Sequence, residues 1–415
     1  MNSYFFQSAL LPDGWHDRVR VLVEQGQFTA IATGVEPLAG EQQLGVVIPQ
    51  MPNAHSHVFQ RAMAGHSEYR SQQADDFWSW RDLMYRLANE MDDDQLYQVA
   101  LSCYREMKQA GYLAVCEFHY LHRAKDRPDD YLTHGQILLN AAADAGLNIT
   151  LLPVLYAFAG VGDQPLGEAQ KRFELSVEEY LDYFTQISPQ LRPGQQLGIC
   201  FHSLRAVNQQ QMQAVLDGLP DDLPVHIHIA EQTAEVEAIR QHFGMRPVAW
   251  LHAHFAVNER WNLVHATHLD ESEVRLLARS GAVAVLCPLT EANLGDGIFP
   301  MPEYMAHQGR WSVGSDSHIE INPGHELKML EYSQRLQQHK RNVCCTATQP
   351  HVGSWLWLQA VAGGARSHHQ PVAGLVVGHK ASVIELLPSA QLSPATCLDA
   401  WLFADQVTSR VIDFN

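Results

Sequence analysis

The 415-residue sequence is poor in positive charge, in cysteine and in long apolar runs, and each shortage excludes a class of protein. Its 28 basic residues against 46 acidic ones give a formal net charge of −18, and such a surface repels nucleic acid and anionic membranes. No run of about 18 apolar residues occurs, and no signal peptide opens the sequence. We therefore expect a small-molecule substrate, with no nucleic-acid or membrane partner.

Seven cysteines, an odd number without the spacing of a disulfide framework, are typical of a reducing cytoplasm, which is the predicted location. Internal repeats, low-complexity tracts and long Pro/Gly-rich linkers are also lacking. With 46% hydrophobic and 18% charged residues, the composition predicts a soluble globular protein. The length suffices for one large domain and a smaller one.

Eight apolar segments in the middle of the chain alternate with helical stretches and predict a parallel sheet. They span residues 46–57, 113–120, 149–156, 197–204, 225–231, 262–268, 282–290 and 311–317. The clearest helix, at 92–110, has aspartates at its start and Gly111 at its end. Strands that are apolar on both faces indicate a sheet covered on both sides. Eight such units are the number in an α/β fold of the (β/α)8 TIM-like barrel type.

The two ends of the chain show a different pattern. Residues 17–34 alternate apolar and polar side chains around Gln25 and Gly26, which predicts a hairpin with a tight turn. Residues 374–390 are again strand-like and interrupted by glycines. We therefore expect strands at both ends.

Two histidines spaced by one residue, His55 and His57, end the first apolar segment. Side chains two apart in a strand point to the same face, so this pair can present two imidazoles to a divalent metal. With 23 histidines in the chain, about one His-x-His is expected by chance. The pairs at 226/228 and 252/254 are further examples, so the first pair needs partners elsewhere to mark a site.

Six of the eight segments end in residues suited to chemistry, namely "HSH", "EFHY", "FHSLR", "HIAE", "HATH" and "GSDS". The carboxyl ends of barrel strands form one rim, where active sites are built. A catalytic zinc site takes three protein ligands and keeps a position open for water. His55, His57 and His228 supply three imidazoles, and Asp316 supplies a carboxylate that ligates the metal, accepts the proton of the water, or does both.

Some positions at this rim remain open on the pattern alone. Strand parity does not choose between His265 and His268, nor fully between His226 and His228. His226 would lie one layer deeper in the barrel, where the alternative is a hydrogen-bonded core histidine. Glu231 lies three residues beyond His228, where an acid can carry a proton to a leaving nitrogen. The alternative for Glu231 is a carboxylate that complements the dipole of a helix at 232–243.

The motifs "HSH", "HIHIAE", "HATH" and "GSDSH" resemble those of the amidohydrolase superfamily over nearly the whole chain. The resemblance implies a metal-dependent hydrolase on a (β/α)8 barrel at 49–365, with a small β-sandwich domain built from 1–48 and 366–415. No carboxylated-lysine position is evident, and His-x-x-Glu is similar to the mononuclear deaminase branch.

The longer motifs "MPNAHSHVFQRAMAG", "DDFWSWRDLMYRLA", "CEFHYLH" and "LTEANLGDGIFP" resemble those of N-formimino-L-glutamate deiminases of histidine degradation. The resemblance implies hydrolysis of that dicarboxylate to N-formyl-L-glutamate and ammonia, one Zn²⁺ per chain and a homodimer. It implies as metal ligands His55, His57, His228 and Asp316. It implies as catalytic residues Glu231, His265 and Asp316. It implies as substrate contacts Gln60, Arg81, Tyr120, His202 and Arg205.

The chemistry of these contacts fits an acidic protein that binds a dicarboxylate, because an arginine can hold a carboxylate through two parallel hydrogen bonds. Arg205 and Arg81 would each take one carboxylate. Taken alone, Arg81 is equally consistent with a solvated helix residue. Gln60 and Tyr120, taken alone, are consistent with packing residues.

The sequence also departs from the family's pattern in two places. "HKASVIEL" lacks the aspartate that relatives commonly carry near Ser382, and "SHIEINPGHE" after Asp316 is less typical. The ligand set does not exclude iron or another divalent metal. Two rival functions remain, a deaminase of a heterocycle such as guanine and a non-catalytic zinc-bound scaffold.

Overall fold

The structure, a computed structural model, describes residues 2–68, 77–369 and 374–414. The first two residues of the motif "DDFWSWRDLMYRLA", at 75–76, lie outside this part. The strands are β1 (Asn2–Leu11), β2 (Gly14–Glu24), β3 (Gln27–Ala32), β4 (Gln42–Pro49), β5 (Met51–Ser56), β6 (Tyr112–His119), β7 (Asn148–Leu155), β8 (Gln195–Leu197), β9 (Ile199–Ser203), β10 (Val225–Ile229), β11 (Trp261–His265), β12 (Val283–Leu286), β13 (Arg310–Val313), β14 (Ser382–Pro388) and β15 (Val407–Asp413). The α-helices are α1 (Phe77–Glu90), α2 (Asp93–Ala110), α3 (Thr133–Ala145), α4 (Val177–Ile187), α5 (Gln209–Gly218), α6 (Thr233–Phe243), α7 (Pro247–His254), α8 (Glu271–Ser280), α9 (Pro288–Leu294), α10 (Met301–Ala306), α11 (Pro323–Gln338), α12 (Val352–Ser367) and α13 (Pro394–Phe403).

Eight parallel strands form the barrel in the order β5-β6-β7-β9-β10-β11-β12-β13, with helices between them. The first and last strands meet just beyond their ends, where the amide of His57 donates to the carbonyl of Asp316 over 3.0 Å and the amide of Asp316 to the carbonyl of His55 over 3.1 Å. A Cβ at Gly314 would lie 2.5 Å from the Cβ of His55, so this seam needs glycine there. The predicted (β/α)8 barrel is confirmed.

The remaining strands form one six-stranded sheet in the order β15-β14-β4-β1-β2-β3, in which only β1 and β4 run parallel. Both chain ends build it, as expected, and it encloses its own apolar core, which includes Phe6, Val21 and Phe414. The predicted hairpin is present as β2 and β3, with Gln25 (φ 51°) and Gly26 (φ 71°) in the left-handed region that a tight hairpin turn requires. The domain boundaries themselves stay a prediction.

Two strand predictions were wrong in more than the position of an end. The segment 282–290 is a strand only as far as Leu286, because α9 begins at Pro288. The segment 46–57 is two strands, because β4 ends at Pro49 in the small sheet and β5 begins at Met51 in the barrel. Gln50 between them is buried, and its amide nitrogen approaches the carbonyl of Tyr112 at 3.4 Å. The sequence shows no break here because the residues on both sides are buried and apolar.

The helix predicted at 92–110 is confirmed as α2. The side chain of Asp92 accepts from the amide of Gln95, and the side chain of Gln95 accepts from the amide of Asp92, which is a capping box. Gly111 (φ 102°) ends the helix in the left-handed conformation. Among the described residues, no helix is both long and apolar enough to cross a membrane.

Candidate active site

The backbone is strained where the barrel strands end at one rim. Five non-glycine residues there have a positive φ, namely Ala230 (53°), His265 (68°), Ala266 (49°), Asp316 (50°) and His318 (58°). Such conformations cost of order 1–3 kcal/mol each and concentrate at functional sites. They also explain why several predicted strands extended too far, since the chemistry-bearing residues lie in or next to these turns.

Four predicted metal ligands converge at the rim. The Nε2 atoms of His55, His57 and His228 lie 3.1, 3.3 and 3.1 Å apart. The Oδ1 of Asp316 lies 3.5 Å from the first of these nitrogens and 3.4 Å from the second. A tetrahedral zinc site with bonds near 2.0–2.1 Å has ligand–ligand edges of about 3.3 Å. The distances among the three imidazoles, and from Asp316 to two of them, therefore fit the ligands of a divalent metal.

The three imidazoles are held neutral, which is the form that ligates a metal. Burial lowers the pKa of His55, lowers that of His57 to about 3, and lowers that of His228 far below its ordinary value. The Nδ1 of His57 lies 2.9 Å from the carbonyl of Phe118. Because Nδ1 must donate to that carbonyl, the lone pair of the ring lies on Nε2 and faces the other ligands.

The structure separates the histidine pairs that strand parity left open. His226 lies deeper in the barrel, where its Nε2 is 3.2 Å from the carbonyl of Ser367, whereas His228 reaches the ligand cluster. His268 points into a loop, with its Nε2 2.8 Å from the carbonyl of Asp296. His265 instead faces the ligand cluster.

His265 lies between carboxylates at the rim. Its Nε2 is 3.7 Å from both Glu231 and Asp316, and its Nδ1 is 3.3 Å from Glu291. Burial raises the pKa of Glu231. Burial alone would lower the pKa of His265, but Glu231, the hydrogen bond with Glu291 and the charge of Asp316 outweigh it and raise that pKa. This arrangement can hold and move a proton beside the ligand cluster.

The helix-start alternative for Glu231 is not supported by its surroundings. The side chain of Glu235 accepts from the amides of Ala230 at 3.2 Å and Glu231 at 3.1 Å, so Glu235 serves the start of α6. The side chain of Glu231 lines the pocket above the ligand cluster.

This pocket encloses about 570 Å³, including its open mouth, and all five predicted substrate contacts line it. The lining residues are His57, Gln60, Trp80, Arg81, Met84, Tyr85, Tyr120, Tyr156, His202, Arg205, His228, Glu231, His265, Thr290, Leu294 and Asp316.

Two lining side chains carry buried polar atoms that the described residues leave without partners. The Nε of Arg205 has no acceptor among them, and the Oε1 of Gln60 has no donor. The Nε2 of Gln60 donates to the hydroxyl of Tyr120 over 2.7 Å, which fixes the orientation of its amide. Since buried polar groups are normally paired, these two atoms suit a ligand that offers both an acceptor and a donor.

Sequence reasoning missed several residues of this site. Tyr156 lines the pocket, accepts from the Nε2 of Gln170 over 2.8 Å and packs edge-on against His202 at 4.5 Å between ring centroids. It ends the third apolar segment, so the same strand-end rule would have found it. Glu291 stands 26 positions from His265 in the chain, and nothing in its sequence context predicts that contact.

Two sequence profiles match the chain, that of the amidohydrolase family over residues 46–349 and that of the N-terminal domain of formimidoylglutamate deiminase HutF over residues 1–44. The formimidoylglutamate deiminase of Pseudomonas aeruginosa is 46% identical, with 97% of this chain and 91% of that protein covered. A 5-methylthioadenosine/S-adenosylhomocysteine deaminase of Archaeoglobus fulgidus is 23% identical, with 94% and 87% covered.

Solved structures show the same likeness. An amidohydrolase from Brucella melitensis has a TM-score of 0.92 and 40% identity, with 99% of this chain and 92% of that chain covered. An adenosine deaminase from Xanthomonas campestris with bound zinc has a TM-score of 0.76 and 18% identity, with 98% and 90% covered. The second likeness bears on the fold alone.

Proposed function

Because this chain belongs to the amidohydrolase family and, within it, to the formimidoylglutamate deiminases, we propose that it hydrolyses N-formimino-L-glutamate to N-formyl-L-glutamate and ammonia. The observation that carries this proposal is one pocket lined both by His57, His228 and Asp316 of the ligand cluster and by Arg205. The Nε of Arg205 has no acceptor among the described residues. A hydrolytic centre and a cation for a carboxylate are what this substrate requires.

The proposed metal is zinc, one ion per chain, held by His55, His57, His228 and Asp316. Three neutral imidazoles with one carboxylate at nearly tetrahedral edges support it, and one protein of the same fold carries zinc. When bound, the ion lowers the pKa of a water molecule toward neutrality and supplies a nucleophile at physiological pH.

The proton steps belong to residues of this chain. Asp316 accepts the proton of the attacking water, while His265 holds the nucleophile against the formimino carbon through its Nε2. Glu231, whose raised pKa lets its carboxyl carry a proton near neutral pH, gives that proton to the departing nitrogen. The tetrahedral carbon bears two nitrogens, and protonation of one of them decides that it leaves as ammonia.

The orientation of the bound substrate also determines which nitrogen is protonated. Arg205 and Arg81 each bind one carboxylate of the glutamate moiety, and Gln60, Tyr120 and His202 complete the contacts. With both carboxylates held, the glutamate nitrogen stays away from Glu231, so the terminal nitrogen is the one protonated.

The test is ammonia release by the purified, zinc-loaded protein from N-formimino-L-glutamate, with guanine, adenine and 5-methylthioadenosine assayed beside it. Release from the formimino substrate alone supports the proposal. Turnover of a purine alone would keep the hydrolytic centre but replace the substrate and the roles of the arginines. No release from any of them would favour the scaffold.

The kinship also supports a place in histidine degradation, where this substrate arises. The homodimer and the cytoplasmic location stay predictions, which sedimentation velocity and fractionation of the native cells would test.

A further inference from the structure

A chain of buried hydrogen bonds lies behind the metal ligands and is not part of the ligand set or the pocket lining. The Nε2 of His318 lies 2.9 Å from the Oγ of Ser56, and that hydroxyl donates to the Oε2 of Glu117 over 2.5 Å. The Oε1 of Glu117 accepts from the amide of Val58 over 2.8 Å. The three side chains are at most 1% exposed. We call Ser56, Glu117 and His318 the seam relay.

The seam relay joins three parts of the barrel that each carry or adjoin metal ligands. Ser56 stands between His55 and His57, and successive strand side chains alternate faces, so its hydroxyl points away from the two imidazoles. His318 follows Asp316 by two residues. Glu117 comes from the neighbouring strand β6 and also holds the amide just beyond His57.

The position of the relay coincides with the closure of the barrel. The backbone hydrogen bonds between His55, His57 and Asp316 lie at this seam, and Gly314 permits the close approach. His318 is itself held in a left-handed conformation (φ 58°), and its carbonyl accepts from Arg61 over 2.7 Å. Strained backbone persists only where surrounding contacts over-determine it, and the relay supplies such contacts beside Asp316.

We infer that Ser56, Glu117 and His318 are positioning residues that fix the distance between the first-strand histidines and Asp316, and so set how firmly the site retains its metal. The inference rests on the proposed metal centre. Hydrogen bonds behind a ligand set commonly contribute 10–100-fold to metal affinity, because they hold the ligands in the coordinating geometry.

The experiment compares Ser56→Ala with Thr150→Val as a matched control. Thr150 is also fully buried, and its hydroxyl contacts a histidine that is not part of the seam relay, with the Nδ1 of His368 at 2.8 Å. Zinc release from each loaded protein is followed with a chromophoric chelator, and thermal unfolding is followed on the metal-free proteins. We expect Ser56→Ala to release zinc about 10–100-fold faster than wild type, and Thr150→Val to match wild type although both lose stability.

Two further variants keep the test decisive if Ser56→Ala does not fold. Glu117→Gln removes an acceptor of the relay and is expected to speed zinc release in the same range. His318→Gln retains a donor toward Ser56 and is expected to hold zinc better than His318→Leu. Equal zinc release from the relay variants and Thr150→Val, with wild type binding zinc normally, would overturn the relay. Failure of wild type to bind zinc would overturn the metal centre itself.

Discussion

Two layers of buried histidines lie inside the barrel, and they differ in what their ring nitrogens face. In the deeper layer, His226 faces the carbonyl of Ser367, and His368 contacts Thr150 and the carbonyl of Asn53. At the rim, the Nε2 atoms of His55, His57 and His228 face one another at 3.1–3.3 Å. The Nε2 of His57 carries a lone pair because its Nδ1 donates to the carbonyl of Phe118, and three ring nitrogens so close together suit a shared cation. Burial is common to both layers, and so is a ring nitrogen without a partner among the described residues, since the Nδ1 of His226 also lacks one. The convergence of three Nε2 atoms therefore marks the site.

The arginines show the same contrast. Arg172 supports the scaffold, because its guanidinium donates to the carbonyls of Arg123, Met91 and Ala88. The Nε of Arg205 in the pocket has no acceptor among the described residues. The Nη2 of Arg172 also has no acceptor among the described residues, but Arg172 does not line the pocket. Position in the pocket therefore decides which of the two arginines is available to a substrate.

The largest expected effect tests whether the histidines of the two layers differ in metal binding. His228→Gln should lose zinc and lower kcat/KM about 1,000-fold or more, which is about 4 kcal/mol of transition-state stabilisation. His226→Gln, two residues earlier on the same strand, should keep zinc and activity but lower the free energy of unfolding by about 1–3 kcal/mol. Metal analysis, steady-state kinetics and urea unfolding measure the three quantities. Zinc loss from His226→Gln alone would exchange the roles of the two residues.

The next effect concerns Glu231, which lines the pocket and is not counted among the ligands. Glu231→Gln should lower kcat about 10²–10⁴-fold, because the departing nitrogen loses its proton donor, while the zinc content stays at the wild-type value. Glu326→Gln is the control, since Glu326 is fully buried, accepts from the amide of Leu289 and does not line the pocket. Full turnover by zinc-loaded Glu231→Gln would refute the assigned role.

The sequence predicted the barrel, the hairpin of the small sheet and α2, because each depends on local patterns of apolar residues, caps and turns. It also indicated the rim, because strand ends share an edge. It did not predict the break at Gln50, since burial on both sides hides a change of sheet. The strand order placed His226 one layer deeper in the barrel than His228, but it did not fully decide which of the two is the ligand, so that choice needed the family resemblance.

Buried glutamates were the least predictable part of the site. Glu117 contacts Ser56 across 61 positions of the chain, and Glu291 contacts His265 across 26. Glu117 lies in the motif "CEFHYLH" and Glu291 in "LTEANLGDGIFP". Neither spacing belongs to a helix or strand period, so the motifs do not tell which residue each carboxylate contacts. Such contacts emerge only when the strands are placed side by side.

A smaller expected effect tests whether Arg205 and Arg172 have different roles. Arg205→Lys should raise KM for N-formimino-L-glutamate about 10–100-fold with little change in stability, because an ammonium cannot reproduce two parallel hydrogen bonds to a carboxylate. Arg172→Lys should lower the melting temperature through lost backbone contacts and leave KM unchanged. Steady-state kinetics and calorimetry on both variants separate the two roles. An unchanged KM in Arg205→Lys would remove this arginine from the substrate site.

The smallest expected effect concerns the small sheet, where the carboxylate of Glu41 is hydrogen-bonded to other residues of the protein. Burial alone would raise the pKa of Glu41, but hydrogen bonds from Arg20, the amide of Leu38 and Ser3 outweigh it and lower that pKa from 4.5 to about 2. A lowered carboxylate pKa stabilises the fold above the unfolded value, and this contribution disappears as the pH falls from about 4.5 toward 2.

Glu41→Gln should therefore cost about 1 kcal/mol of unfolding free energy at pH 6, since solvent screens a pair near the surface, and less at pH 3. Urea unfolding of the metal-free proteins is the measurement, so that protonation of the rim histidines acts equally on both. A difference between wild type and Glu41→Gln that does not shrink with acid would mean that Arg20 and Glu41 contribute through packing. The Arg20–Glu41 pair would then give no evidence that a partner within the protein stabilises a carboxylate. The comparison with the rim would rest on the rim residues alone.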